Sequence, residues 1–283
     1  GIIANYPNYI EKIFANSNTL IALHSENDII IKNNTTLYRQ QFKNNIPLKY
    51  HSLIRSEEAC YETTKSVIDI AKKYDNRLHL FHISTSAETE LFENSIPLNK
   101  KRITAEACVH HLWFSDNDYD NLGAKIKWNP SIKSESNQNG LFNALYSGKI
   151  DIIATDHAPH TLKEKSGNYF EAMSGGPLVQ HALPALLEFY HRNKMSLEMI
   201  VEKTAHNVAE IYKIKDRGYI REGYYADLVL VDINQPWKVT KENILNKCKW
   251  SPFEEQIFQS KIVTTIVNGK VVYANGEFNY NPN

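Results

Sequence analysis

The stretch IDIIATDHAPH, residues 150–160, decides the fold. Ile150, Ile152, Ile153 and Ala154 read as a short buried strand, which Thr155, Asp156, His157 and Pro159 end abruptly. Ionisable groups therefore stand at a strand's carboxyl end, and in a parallel α/β barrel that end is the catalytic face. Taken alone, the stretch has a second reading: Asp156 caps the following helix, and His157 and His160 are satisfied in a loop.

Working outward, histidine recurs at other strand ends. A strand over 19–23 runs into His24, and one over 77–81 runs into His82. Between them lie a long polar connection over 32–45 and a helix over 56–74. Ser56 is that helix's N-cap, with Glu57 and Glu58 in its first turn and Lys72 and Lys73 in its last. A short helix over 86–94 leads to a strand over 102–108 and then to His110-His111. If these two continue the strand they point to opposite faces and cannot easily share one ion, so they read as structural or supporting residues. Residues 115–123 read as loop and 126–128 as extended, Asn129-Pro130 breaks the chain, and a helix over 139–147 stops at Gly148. Strand and helix thus alternate through about four units, which predicts a parallel sheet with helical crossovers.

Past the central motif, Ser174-Gly175-Gly176-Pro177 forms a tight turn into helices over 179–190, 196–202 and 207–212. The pattern then turns to β, with a strand over 228–231 and a hairpin whose Asn268-Gly269 turn joins 262–267 to 270–273.

Composition narrows the function. A chain of 283 residues, 42% of them hydrophobic, can bury a large core. The 32 basic and 32 acidic residues are interspersed, which leaves no polybasic footprint for nucleic acid or an anionic membrane. Apolar runs are far too short for a membrane span, and the first residues lack a signal peptide's basic and apolar segments, so a cytoplasmic location is expected. Cys60, Cys108 and Cys248 are widely spaced and odd in number, as in a reducing compartment. The start at Gly1 instead of Met suggests that the natural protein extends further.

Imidazole ligates zinc-like ions well, and a catalytic ion keeps one position open for water. With His24, His82 and Asp156 at one mouth, the expected chemistry is metal-assisted hydrolysis or its reverse. His51, His79, His181, His191 and His206 have no supporting context and read as core or surface residues.

ATDHAPH (154–160), His24 with the following Ser-Glu-Asn, HIST (82–85), TAEACVHHL (104–112) and Asn129-Pro130 resemble dihydroorotase, of the amidohydrolase superfamily. GYYADLVLVD (223–232), Ser251-Pro252-Phe253 and Val267-Asn268-Gly269 are similar to that family's tail. The resemblance implies a (β/α)8 TIM barrel of the metal-dependent hydrolase type with a small β-sandwich. It implies one or two zinc ions and interconversion of dihydroorotate with N-carbamoyl-L-aspartate in pyrimidine synthesis. By motif, His24 and His82 bind one ion, Asp156 binds the other and shuttles the proton, and Asn129, His160, Ser174 and Gly175 contact a small-molecule substrate.

The family's HxH pair, the Arg after it, a substrate-binding Asn and the bridging Lys or Asp all belong upstream of His24, and no HxH occurs in this sequence. NPSIK (129–133) also replaces the family's common Pro-Leu-Arg continuation. The expectation is a C-terminal part of the barrel over 1–215 and a β-rich segment over 216–283. The barrel's N-terminal half would be the partner, a homo-oligomer stays open, and catalysis by the isolated chain would be weak or absent. Hydantoinase or allantoinase activity, or an inactive structural partner of dihydroorotase type, are the alternatives.

Overall fold

A computed structural model describes residues 7–279 of the chain. The first residues, read above for a targeting signal, lie partly outside this range. The described residues divide into two compact units, 7–178 with 247–252 and 179–246 with 253–279.

In the first unit four strands pair in parallel in chain order: β1 (Leu20–Leu23), β2 (Arg77–Leu80), β3 (Ile103–Cys108) and β4 (Ile152–Ala154). Parallel neighbours need long crossovers, and helices supply them. Helix α1 (Pro7–Asn16) precedes β1, and α2 (Asp28–Phe42), α3 (His51–Ile54) and α4 (Glu57–Lys73) lead to β2. The short α5 (Ser86–Thr89) leads to β3, and α6 (Val109–Trp113), α7 (Tyr119–Leu122) and α8 (Glu135–Ser147) lead to β4. Apart from their first residues, β2 and β3 are wholly buried, whereas β1, at one end of the sheet, is only partly covered.

Helix α4 follows its sequence signals closely. Ser56 Oγ accepts from the Ala59 amide, and Ala59, Cys60, Thr64, Val67, Ile68 and Ala71 form the buried stripe that a 3.6-residue period requires. The connection expected over 32–45 is instead largely helix α2. Asn27 caps it by accepting from the Ile29 and Ile30 amides. Its Ile31, Tyr38 and Phe42 pack against Ile46, Ile54 and Tyr169, and this sparse stripe was hidden among polar residues. The loop expected over 115–123 holds a Ser115–Asp118 capping box and α7, and a 3₁₀ turn over Gly123–Ile126 leads into the extended Lys127 of the segment expected over 126–128.

The second unit begins with α9 (Val179–His191), α10 (Leu197–Val201) and, after a π-helical turn over Glu202–His206, α11 (Asn207–Tyr212). An antiparallel sheet of order β10-β9-β8-β5 follows, built from β5 (Leu228–Asp232), β8 (Lys261–Val267), β9 (Lys270–Ala274) and β10 (Glu277–Phe278). The short pair β6 (Trp237–Lys238) and β7 (Ile257–Phe258) stands apart, and its Trp237 and Phe258 pack around His181. Among the described residues no helix is long and apolar enough to cross a membrane.

Gly140, inside α8, is where that helix meets α5. A Cβ there would lie 2.3 Å from Ser86 Oγ and 3.1 Å from Ser86 Cα. Gly140→Ala is expected to destabilise the first unit by about 1–3 kcal/mol through overpacking, read as a lower urea midpoint with an unchanged slope.

Candidate active site

Parallel pairing carries the strand ends to one edge of the sheet. Leu23 pairs with Leu80 and Cys108 with Ala154, so His24, His82 and Asp156 leave the sheet on the same side. His24 and His82 come together, with Nδ1 of the first 3.0 Å from Nε2 of the second and the rings edge to face. His82 and Asp156 both have positive φ, 38° and 45°, outside turn glycines. Strained backbone of this kind costs on the order of 1 kcal/mol or more and concentrates at functional sites.

The surroundings set the state of each group. His24 Nε2 lies 3.0 Å from Glu26 Oε2, and Arg55 closes an ion pair on the same carboxylate. Burial would raise Glu26, but the hydrogen bond from His24 and the Arg55 charge outweigh it and hold the carboxyl at about 2. Glu26 therefore accepts from His24 Nε2, while His24 Nδ1 faces His82 Nε2. Burial, then the charges of His24 and His111, push His82 down to about 3, and its Nδ1 is buried without a partner. Burial and the charge of Glu106 push Asp156 up to about 6, against the opposing effect of His24.

Two imidazole nitrogens at this spacing would fit an ion once neither carries a proton. Bonds of about 2.0–2.1 Å at a tetrahedral angle put two nitrogens about 3.3 Å apart. The set is partial, because among the described residues no group of three or more His, Cys, Asp or Glu side chains is placed to hold a metal.

The remaining candidates lie on three segments, the Asn129 loop, the end of ATDHAPH and the Ser174-Gly175 turn. Asn129 Oδ1 is buried without a partner. His160 Nδ1 is 3.9 Å from Glu164, and its carbonyl accepts from Trp250 Nε1 at 2.7 Å. Ser174-Gly175 runs beside ATDHAPH: His157 bridges to Gly176, and the Leu178 amide donates to His157 Nδ1. Gly175 has φ +118°, and a Cβ on it would stand 2.5 Å from the Ala158 carbonyl. Its N–H donates to the Lys127 carbonyl at 2.8 Å, so the Gly175 amide belongs to the scaffold.

His110 and His111 are on α6, not on a strand. Their ring centroids are 4.1 Å apart, and His110 stacks on Trp128. His111 Nε2 donates to the Pro130 carbonyl at 3.1 Å, while His51 Nε2 donates to that of Trp128 at 2.7 Å, so two buried imidazoles bracket Asn129. His51 is thus built into the site, its Nδ1 accepting from Tyr169 Oη. His79 is also built in, with Thr104 and Glu106 on its two ring nitrogens. Glu106, which also accepts from the His82 amide, went unread, although a carboxylate in an apolar strand was a usable signal.

A parallel α/β unit with histidines and a carboxylate at the strand ends has the layout of a metal-dependent hydrolase. Residues 49–272 match the profile of the amidohydrolase family, and the chain belongs to that family. It is 32% identical over 266 residues to a dihydroorotase of Methanosphaera stadtmanae, covering 94% of this chain and 60% of the relative. A dihydroorotase of Halobacterium salinarum is 34% identical, covering 78% and 51%. An allantoinase of Desulfitobacterium hafniense is 30% identical, covering 91% and 57%. The chain therefore spans between about half and three fifths of these relatives. The L-hydantoinase structure from Arthrobacter aurescens shares the fold, with a TM-score of 0.89 at 23% identity over 96% of this chain and 61% of that one.

Two outcomes test the network. Glu26→Ala strips Arg55 and His24 of their shared carboxylate and is expected to cost about 3 kcal/mol in urea unfolding, near the lower limit for a broken buried pair because Arg55 is partly exposed. Burial holds His51 well below its ordinary value, so on acidification the unfolded chain takes up the proton first. Its contribution is full above about pH 6.5 and declines as pH falls below that, a loss that His51→Gln should reduce in a melting-temperature series.

Proposed function

We propose that the chain is the C-terminal part of a dihydroorotase, a cyclic amide hydrolase that interconverts dihydroorotate and N-carbamoyl-L-aspartate in the cytoplasm. The observation that carries this reading is the 3.0 Å approach of His24 Nδ1 and His82 Nε2 at adjacent strand ends, on the side where Asp156 also leaves the sheet. The relatives named dihydroorotase support the choice of ring.

In this reading residues 1–215 contribute four of the eight strands of a (β/α)8 barrel, and 216–283 contribute to a small β-sandwich. The N-terminal half, with the HxH pair and a bridging ligand, completes the barrel from the same polypeptide or as a separate piece. His24 and His82 would hold one zinc ion and Asp156 the other. Metal bound there would supply an activated water and Lewis-acid polarisation of the amide carbonyl. Asp156 takes a proton from the attacking water and returns one to the departing ring nitrogen. The unpartnered Oδ1 of Asn129 accepts from a ring N–H, His160 favours the substrate carboxylate, and the Ser174 main chain borders the ring.

The test is turnover of dihydroorotate, hydantoin and allantoin by the zinc-loaded protein with its N-terminal half present. Dihydroorotate is expected to be preferred, and Asp156→Asn is expected to lower kcat about 10²–10⁴-fold. Preference for either other ring would replace this reading. The isolated chain should turn over none of the three at a comparable rate.

A further inference from the structure

We propose that Lys165 is a positioning residue that ties the Asn129 loop to the Ser174-Gly175 turn and so sets the distance between the two substrate-facing segments. The proposal rests on the reading of those segments given above.

Lys165 lies in the polar stretch that follows ATDHAPH, where a lysine would ordinarily be solvated. Instead it is only 5% exposed. Its ammonium has three donors, which meet the carbonyls of Lys127 at 3.3 Å, Met173 at 2.8 Å and Gly175 at 2.7 Å. One acceptor lies two residues before Asn129, and the other two flank Ser174. The indole rings of Trp128 and Trp250 each lie 5.8 Å from the ammonium and help to shut out water.

All three acceptors are main-chain carbonyls. A buried cation held this way is expensive compared with an apolar side chain of equal length, so packing alone does not explain a lysine here. What the ammonium adds is geometry: one point charge fixes three carbonyls from two segments that are distant in sequence. Lys127 strengthens the same frame from the other side, its own ammonium reaching the Tyr169 and Ala172 carbonyls. Space is tight as well, since a Cβ on Gly176 would lie 2.6 Å from the Trp128 ring.

The experiment is amide hydrogen exchange on the full chain for the wild type, Lys165→Met and Lys165→Arg. Burial and the Lys127 charge pull Lys165 down to about 7, so about pH 6 keeps all three donors in place. Lys165→Met should speed exchange about tenfold or more in both 127–130 and 172–176, with α4 unchanged. Lys165→Arg keeps the charge but is planar, and should restore less than half of that protection. Loosening of one segment alone, of neither, or full rescue by Arg overturns the proposal. If Lys165→Met also loses protection in α4, the Arg variant decides by the same criterion. No substrate is present, so the result stands whether or not dihydroorotate is the ring. In the zinc-loaded protein with its N-terminal half, Lys165→Met should raise KM for the turned-over ring about tenfold with a smaller change in kcat, and a fall in kcat at constant KM also overturns the proposal.

Discussion

Parallel strand pairing is the constraint on which the candidate site depends. Hydrogen bonding in that sense forces every strand to finish at the same edge, so residues far apart in the chain meet there only if the register is right. Leu23 opposite Leu80 is the pairing that matters most, because it places His24 against His82. A shift of one residue would turn the side chains of a whole strand to the other face and separate the rings.

Around that edge the protein uses buried polar groups as fixtures. Glu26 and Arg55 orient His24, Glu106 joins His79 to the His82 backbone, and His51 and His111 hold the carbonyls on either side of Asn129. Each fixture keeps at least one hydrogen-bond or ion-pair partner, which lowers the penalty of burying it. Among the buried polar atoms without a partner, Glu26 Oε1 and His111 Nδ1 belong to these fixtures, and His82 Nδ1 and Asn129 Oδ1 belong to residues read as facing metal and substrate. Positive φ at His82 and Asp156 belongs to the same pattern, since neither residue would adopt that conformation without surroundings that impose it.

The second unit is organised differently. Its strands pair antiparallel, joined across the Asn268-Gly269 hairpin, and Trp237, Phe253 and Phe258 pack around His181. Val229, Leu230, Val271 and Phe278 remain exposed on its main sheet. The first unit, by contrast, concentrates its burial in the strands β2 and β3 that carry His79 and Glu106.

The sequence by itself determined the four parallel strands, helix α4 and the ionisable groups that end three of those strands. Apolar runs ending in His24, His82 and Asp156, the Ser56 cap and the Gly148 stop are local signals, and local signals are what a linear pattern carries. It could not show α2 clearly, because Ile31, Tyr38 and Phe42 are a helical face only once Ile54 and Tyr169 are there to meet them. It misplaced His110 and His111, because the chain leaves the strand at Cys108 and turns into α6. Only the tertiary structure decided which polar residues are buried and what they hold. His51, Lys127 and Lys165 resemble any surface residues in the sequence, and their roles follow from carbonyls up to 77 positions away that folding brings within hydrogen-bond reach.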